Sequence, residues 1–174
     1  TNDRRQRQMC IRDRYKKYQF QESAAMTVQY YGFLNTGKVF NDKRVRQAFC
    51  YAIDREKIVT HTVKGQGVAG THGIAPPSFS TYDAAAVKGY GFDANKARKL
   101  MAEAGFPEGK GFPELTLNIN SGGGRNTQVA EAIQKMLQEN LNIKVNISKM
   151  PFHQHLENTA VSYTHLTLPT IVRV

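Results

Sequence analysis

The sequence predicts an α/β fold, and three observations point there. Residues 115–120 (LTLNIN) and 144–150 (KVNISKM) alternate apolar and polar positions, as half-exposed strands do. Between them, residues 126–140 repeat apolar side chains at a helical period, with Val129, Ile133, Met136 and Leu137 on one face. Strand, helix, strand in that order is a right-handed crossover unit that pairs its strands in parallel.

The elements before this unit have signals of their own. Residues 27–34 (TVQYYGFL) are rich in β-branched and aromatic side chains and read as a strand. Asn35, Thr36 and Gly37 close it with turn chemistry. Asn41 and Asp42 can cap a helix that carries Val45, Ala48, Phe49 and Ala52 on one side. Asp54 offers a second cap ahead of Ile58, Val59 and Val63, so the pattern fits two short helices or one bent at Ile53 and Asp54. Gly65, Gly67 and Gly70 end the helical period, and residues 65–90 form a long irregular connection, a type of segment that is often functional. Asp93 caps a helix through Ala97, Leu100, Met101 and Ala104, with Gly105 where a helix-ending glycine belongs. Residues 108–113 read as a turn, and residues 152–158 begin another helix.

Hydrophobic residues make up 40% of the 174-residue chain, enough to build a core. No apolar run approaches the roughly 20 residues that a membrane-spanning helix needs. No secretory leader is visible, because the first residues are polar and Arg-rich; an exported parent would carry its leader outside this chain. The formal charge of +10 suggests a nucleic-acid partner, but much of it sits at the ends.

Residues 4–13 read RRQRQMCIRD and residues 161–170 read VSYTHLTLPT. The second can be encoded as GTC TCT TAT ACA CAT CTG ACG CTG CCG ACG, whose reverse complement translates as the first. That DNA resembles a transposon-end adapter used in sequencing libraries. Residues 1–14 and 161–174 are therefore expected to be non-native, adapter-like tails around a partial lobe at residues 15–160. Setting them aside removes Arg4, Arg5, Arg7, Arg12, Arg14 and Arg173 against only Asp3 and Asp13. The basic residues that remain are scattered along helices, as on a solvated surface, and no nucleic-acid partner is expected. Cys10 goes as well, leaving Cys50 alone and no internal disulfide to form.

Four stretches, in order and at the right spacing, resemble the substrate-binding proteins of peptide and nickel ABC importers, the family-5 extracellular solute-binding proteins. YYGFLNT (residues 30–36) is similar to the strand ending in Asn that precedes the family's most recognisable block. FNDKRVRQAFCYAIDREKIV (residues 40–59) resembles that block, a "pf-D-VRqA-AIDR" pattern. FDANKARKLMAEAGFPEGKGFP (residues 92–113) resembles the family's "yDpekAkkLLaEAGy" helix and turn. LTLNINSGGGRNTQVAEAIQKMLQENLNIKVNI (residues 115–147) resembles the strand, helix and strand that follow. One departure is Leu141-Asn142-Ile143, where the family more often has Leu-Gly-Ile.

The resemblance implies part of one lobe of a two-lobe, periplasmic binding protein-like fold (type II), with the ligand held between the lobes. It implies a non-enzymatic protein, periplasmic or extracellular and membrane-associated, that captures a peptide-like solute by lobe closure and delivers it to an ABC transporter permease. A nickel- or sugar-binding member of the family, or an enzyme holding a phosphorylated ligand at its glycine loops, are the alternatives. The family's downstream ligand contacts include a Trp, and this sequence has none. Within the block, Arg44, Arg46 and Arg55 can pair with Asp42, Asp54 and Glu56 at helical spacing, which reads as scaffold.

No cofactor or metal is expected. Gly65-Gln66-Gly67-Val68-Ala69-Gly70 matches G-x-G-x-x-G, but a helix precedes it where a nucleotide site needs a strand. Ser121-Gly122-Gly123-Gly124-Arg125 lies before a helix N-terminus and could hold an anion, yet lacks the Lys-Ser/Thr of a phosphate loop. His153, His155 and Glu157 would share a face only in a strand. The expected ligand-binding residues are Tyr31, Phe33 and Asn35, an aromatic wall with an amide suited to a peptide backbone, together with His72 on the long connection.

Overall fold

The computed structural model describes residues 27–35, 37, 39–73, 75–76, 79, 81–83, 86–87, 89–162 and 166–172, with side chains up to residue 159. The N-terminal tail at residues 1–14, Thr36 and Ile74 lie outside the described residues, as do the side chains of the C-terminal tail.

Strand β1 (Gln29–Leu34) turns Gln29, Tyr31 and Phe33 inward and Tyr30, Gly32 and Leu34 outward, the period-2 pattern of a one-sided strand. It pairs antiparallel with β4 (Leu166–Val172), the register shifting between Tyr31 and Phe33. Sequence reading assigned no element to residues 161–174. The β4 pairing satisfies the free backbone groups along an edge of β1.

Helix α1 (Lys43–Ala52) begins where the Asp42 carboxylate accepts the Arg44 amide at 2.8 Å, and buries Val45, Ala48, Phe49, Cys50 and Ala52. The chain then breaks at Ile53 and Asp54, both extended. Of the two arrangements that the sequence allowed, the structure therefore has two helices. Asp54 caps the short α2 (Arg55–Lys57) by accepting the Lys57 amide at 3.0 Å. A π-helical turn (Ile58–Thr62) continues it, with Ile58, Val59 and Val63 buried.

Helix α3 (Ala94–Glu103) is capped by Asp93, which accepts the Lys96 amide at 2.9 Å. It ends as predicted: Gly105 takes φ 94°, and the Phe106 amide reaches back to the Met101 carbonyl at 2.9 Å. Strands β2 (Leu115–Asn120) and β3 (Val145–Met150) pair in parallel, with Leu115 opposite Val145 and Asn120 opposite Met150. Helix α4 (Gly124–Leu141) crosses between them and buries Val129, Ala130, Ile133, Met136, Leu137 and Leu141. Helix α5 (Phe152–Ser162) follows β3.

The departure at Asn142 resolves simply. Helix α4 ends with Asn142 in the left-handed region, at φ 56° and ψ 36°. Asn tolerates that conformation better than most residues with a side chain, so here it fills the helix-ending role that glycine usually takes.

The core lies where α1, the π-helical turn, α3 and α4 meet. Phe33, Phe40, Phe49, Phe112 and Phe106 form a chain of ring contacts through it, with successive centroids 4.6–5.9 Å apart. This packing fastens β1 to the helical layer and the turn after α3.

Candidate functional site

Ligands in sheets of this kind bind at the carboxyl ends of parallel strands. Here that edge is the end of β2 and the start of α4. The Ser121 amide donates to the Met150 carbonyl at 2.8 Å, joining the two strand ends. Gly123, at φ 136° and ψ 153°, turns the chain into α4 as its N-cap and, being glycine, supplies no side-chain cap. The first-turn amides therefore face outward with the positive end of the helix dipole, and no acidic residue occupies that turn.

Polar side chains from four parts of the chain converge on this edge. The Asn126 side-chain amide donates to Asn120 Oδ1 at the end of β2. Gln29 Nε2, from β1, donates to Asn126 Oδ1 at 3.2 Å. Arg125 donates to Gln66 Oε1, which brings the Gly65–Gly70 loop beside the Gly122–Gly124 loop. A guanidinium held by a neutral amide keeps its charge available to an anion. The sequence marked both glycine loops separately and gave no sign that they meet. The contact spans far more chain than a local pattern can report.

The structure places the four expected ligand-binding residues as follows. Tyr31 and Phe33 share a face of β1, as alternation predicts, and that face is turned to the core. Phe33 stacks on Phe40 at 4.6 Å and meets Phe49 edge-on at 5.6 Å. The Tyr31 hydroxyl is buried without a well-formed hydrogen bond among the described residues. Burial pushes its phenol up to about 12, the Gln29 side chain pulling weakly the other way. Asn35 is half-buried in the turn after β1. His72 is exposed on the long connection, its Nδ1 3.2 Å from the Val87 carbonyl and its own carbonyl accepting from Tyr82 Oη at 2.7 Å.

The glycine run at Gly65–Gly70 follows a π-helical turn and leads into irregular chain, so it lacks the strand-to-helix setting of a dinucleotide site. His153, His155 and Glu157 lie on helix α5. Among the described residues, no three His, Cys, Asp or Glu side chains gather as metal ligands would. No helix among them is long and apolar enough to cross a membrane.

Residues 6–167 match the family described as bacterial extracellular solute-binding proteins, family 5 Middle. The chain belongs to this family. The matched span runs into both end segments. Among curated relatives, heme-binding protein A of Haemophilus influenzae is 33% identical over 53% of this chain and 17% of its own length. Oligopeptide-binding protein AppA of Bacillus subtilis is 30% identical over 66% of this chain and 23% of its own. Among solved structures, a periplasmic oligopeptide-binding protein of Borrelia burgdorferi superposes with a TM-score of 0.65 at 26% identity, covering 83% of this chain and 27% of that one. The chain thus spans about a fifth of the length of the curated relatives it matches. The α/β class and the partial periplasmic-binding-protein lobe follow from these matches.

Proposed function

We propose that this family-5 chain contributes one wall of a cleft that captures a peptide-like solute for an ABC importer. The observation that carries the reading is the family match across residues 6–167 on a parallel β2–α4–β3 unit with an open, cationic edge. Amide side chains at Asn120 and Asn126 supply donors and acceptors for a peptide backbone, and Arg125 with the first-turn amides of α4 supplies positive potential for a carboxylate. In this reading Asn35 and His72 line the cleft, while Tyr31 and Phe33 hold β1 from the core side.

Residues 15–160 make up the lobe segment, and residues 1–14 and 161–174 are adapter-derived. Differential affinity for the closed form drives closure of the two lobes, and a permease receives the loaded protein. Its place is periplasmic or extracellular. The experiment is titration of the full-length parent with short peptides, with a nickel chelate and with an oligosaccharide in parallel. Peptide should raise Tm and compact the scattering profile. A response to the chelate or sugar alone overturns the peptide assignment, and silence in all three overturns solute capture. Sequencing the parent gene tests the ends: reading through the same terminal residues would make them native.

A further inference from the structure

Among the described residues, Arg55 is the one charged side chain in the core, 4% exposed. Sequence reading paired it with acidic neighbours at helical spacing, yet no carboxylate forms an ion pair with it among the described residues. Burial pushes the guanidinium below its ordinary value, with Cys50 and Asp54 pulling it back. Its Nε has no hydrogen-bond partner among the described residues. A lone buried cation is unfavourable, and an apolar side chain would fill the same space at less expense. Among the described residues, Arg55 Nη1 donates to the Tyr90 carbonyl at 3.0 Å.

Tyr90 is held from other sides as well. Gln47 Nε2 donates to its hydroxyl at 3.3 Å, and its ring meets Tyr51 edge-on at 5.2 Å. One residue earlier, Gly89 presses against the Thr71 backbone so closely that a Cβ there would overlap the Thr71 carbonyl. Val87 meets His72 through its carbonyl, and Tyr82 binds the His72 carbonyl. The outgoing and returning arms of the long connection are therefore joined at a neck, and Arg55 anchors the returning arm. The outgoing arm carries Gln66, which holds Arg125 at the open end of α4.

We propose that Arg55 is a positioning residue for the solute site: from the core, through Tyr90 and the neck at His72, it sets the arm that places Gln66 beside Arg125 at the start of α4. This rests on reading that edge as the site. The arginine of the "AIDR" block then acts on the site without touching solute.

Amide hydrogen exchange on the 174-residue chain tests it, comparing the unaltered protein with Arg55→Met and Arg55→Gln. Removing every donor in Arg55→Met should speed exchange at residues 69–73 and 89–91 by about tenfold or more, leaving the α4 amides from Val129 to Leu137 unchanged. Arg55→Gln, which keeps a neutral donor, should recover part of that protection, and it carries the same reading if the methionine variant fails to fold. Unchanged exchange at residues 69–73 in both variants, or equal acceleration in α4, overturns the proposal. The readout needs no ligand, so its failure leaves solute capture standing. A parent that binds no peptide does the reverse.

Discussion

Asn140 Nδ2 donates to the Ala52 carbonyl at 2.8 Å, fastening the last turn of α4 to the last turn of α1. Ala52 is fully buried, and its carbonyl is among those a helix end leaves without an internal partner. Asn140→Ala leaves that oxygen in the core with nothing to bind. The expected loss is about 1–3 kcal/mol in urea unfolding, with an unchanged m-value. Asn140→Asp should lose at least as much, since it brings a second acceptor to the carbonyl. A loss below about 0.5 kcal/mol in both variants would mean that water replaces the amide and that the two helices are held by packing alone.

A related argument applies to the end of α4. Asn142 sits at φ 56°, its Nδ2 donating to the Glu108 carbonyl at 3.2 Å and its Oδ1 accepting from Gln138 at 3.1 Å. Asn142→Gly removes the backbone strain together with both side-chain bonds, so the net change in stability should fall within about 0.5 kcal/mol of zero. Asn142→Ala removes the bonds and keeps the strain, and should destabilise by about 1 kcal/mol or more. Thermal unfolding of the pair separates the terms: equal losses would show that the bonds, and not the left-handed turn, matter there.

Much of this fold was legible because its signals are local. Asp42, Asp54 and Asp93 are caps that act within three residues, and each is found accepting the expected amide. The β2–α4–β3 unit follows from two periodicities that do not overlap. Other features depend on distant chain. Gln29 meets Asn126, and Gln66 meets Arg125, through contacts that no spacing rule encodes. Alternation put Tyr31 and Phe33 on one face, but only Phe40 and Phe49 decide that this face is the core. Arg55 misleads in the same way, because its helical spacing from acidic residues suggests surface pairs while the fold buries it.

Tyr31 should make the protein sensitive to alkali. Its phenol is raised from 10.0 to about 12 by burial. As pH rises past 10 the unfolded chain ionises first while the folded one stays neutral, so the unfolded state gains. The stabilisation is complete below pH 10 and is lost progressively between about 10 and 12. Tyr31→Phe should abolish that part of the alkaline slope. It should also leave neutral-pH stability unchanged or slightly higher, because among the described residues the hydroxyl is buried without a well-formed bond. Denaturant midpoints measured from pH 8 to 11 give the answer, and an unchanged slope in the phenylalanine variant would assign it to other groups.

The charge at the open end of α4 gives the sharpest functional expectation. Arg125 is exposed, held by a neutral amide among the described residues, and stands on a helix start whose N-cap is a glycine. If a solute carboxylate docks there, it gains a charge-assisted bond of roughly 1.5–3 kcal/mol. In the full-length parent, Arg125→Gln should then weaken binding of a peptide with a free C-terminus by about tenfold or more. A C-terminally amidated peptide, which brings no such charge, should bind both proteins alike. The residue is exposed, so Tm without ligand should move little. Isothermal titration calorimetry with both peptides distinguishes the cases. An equal loss for free and amidated peptides would make Arg125 a general shape contact, and no loss for either would place the carboxylate elsewhere in the cleft.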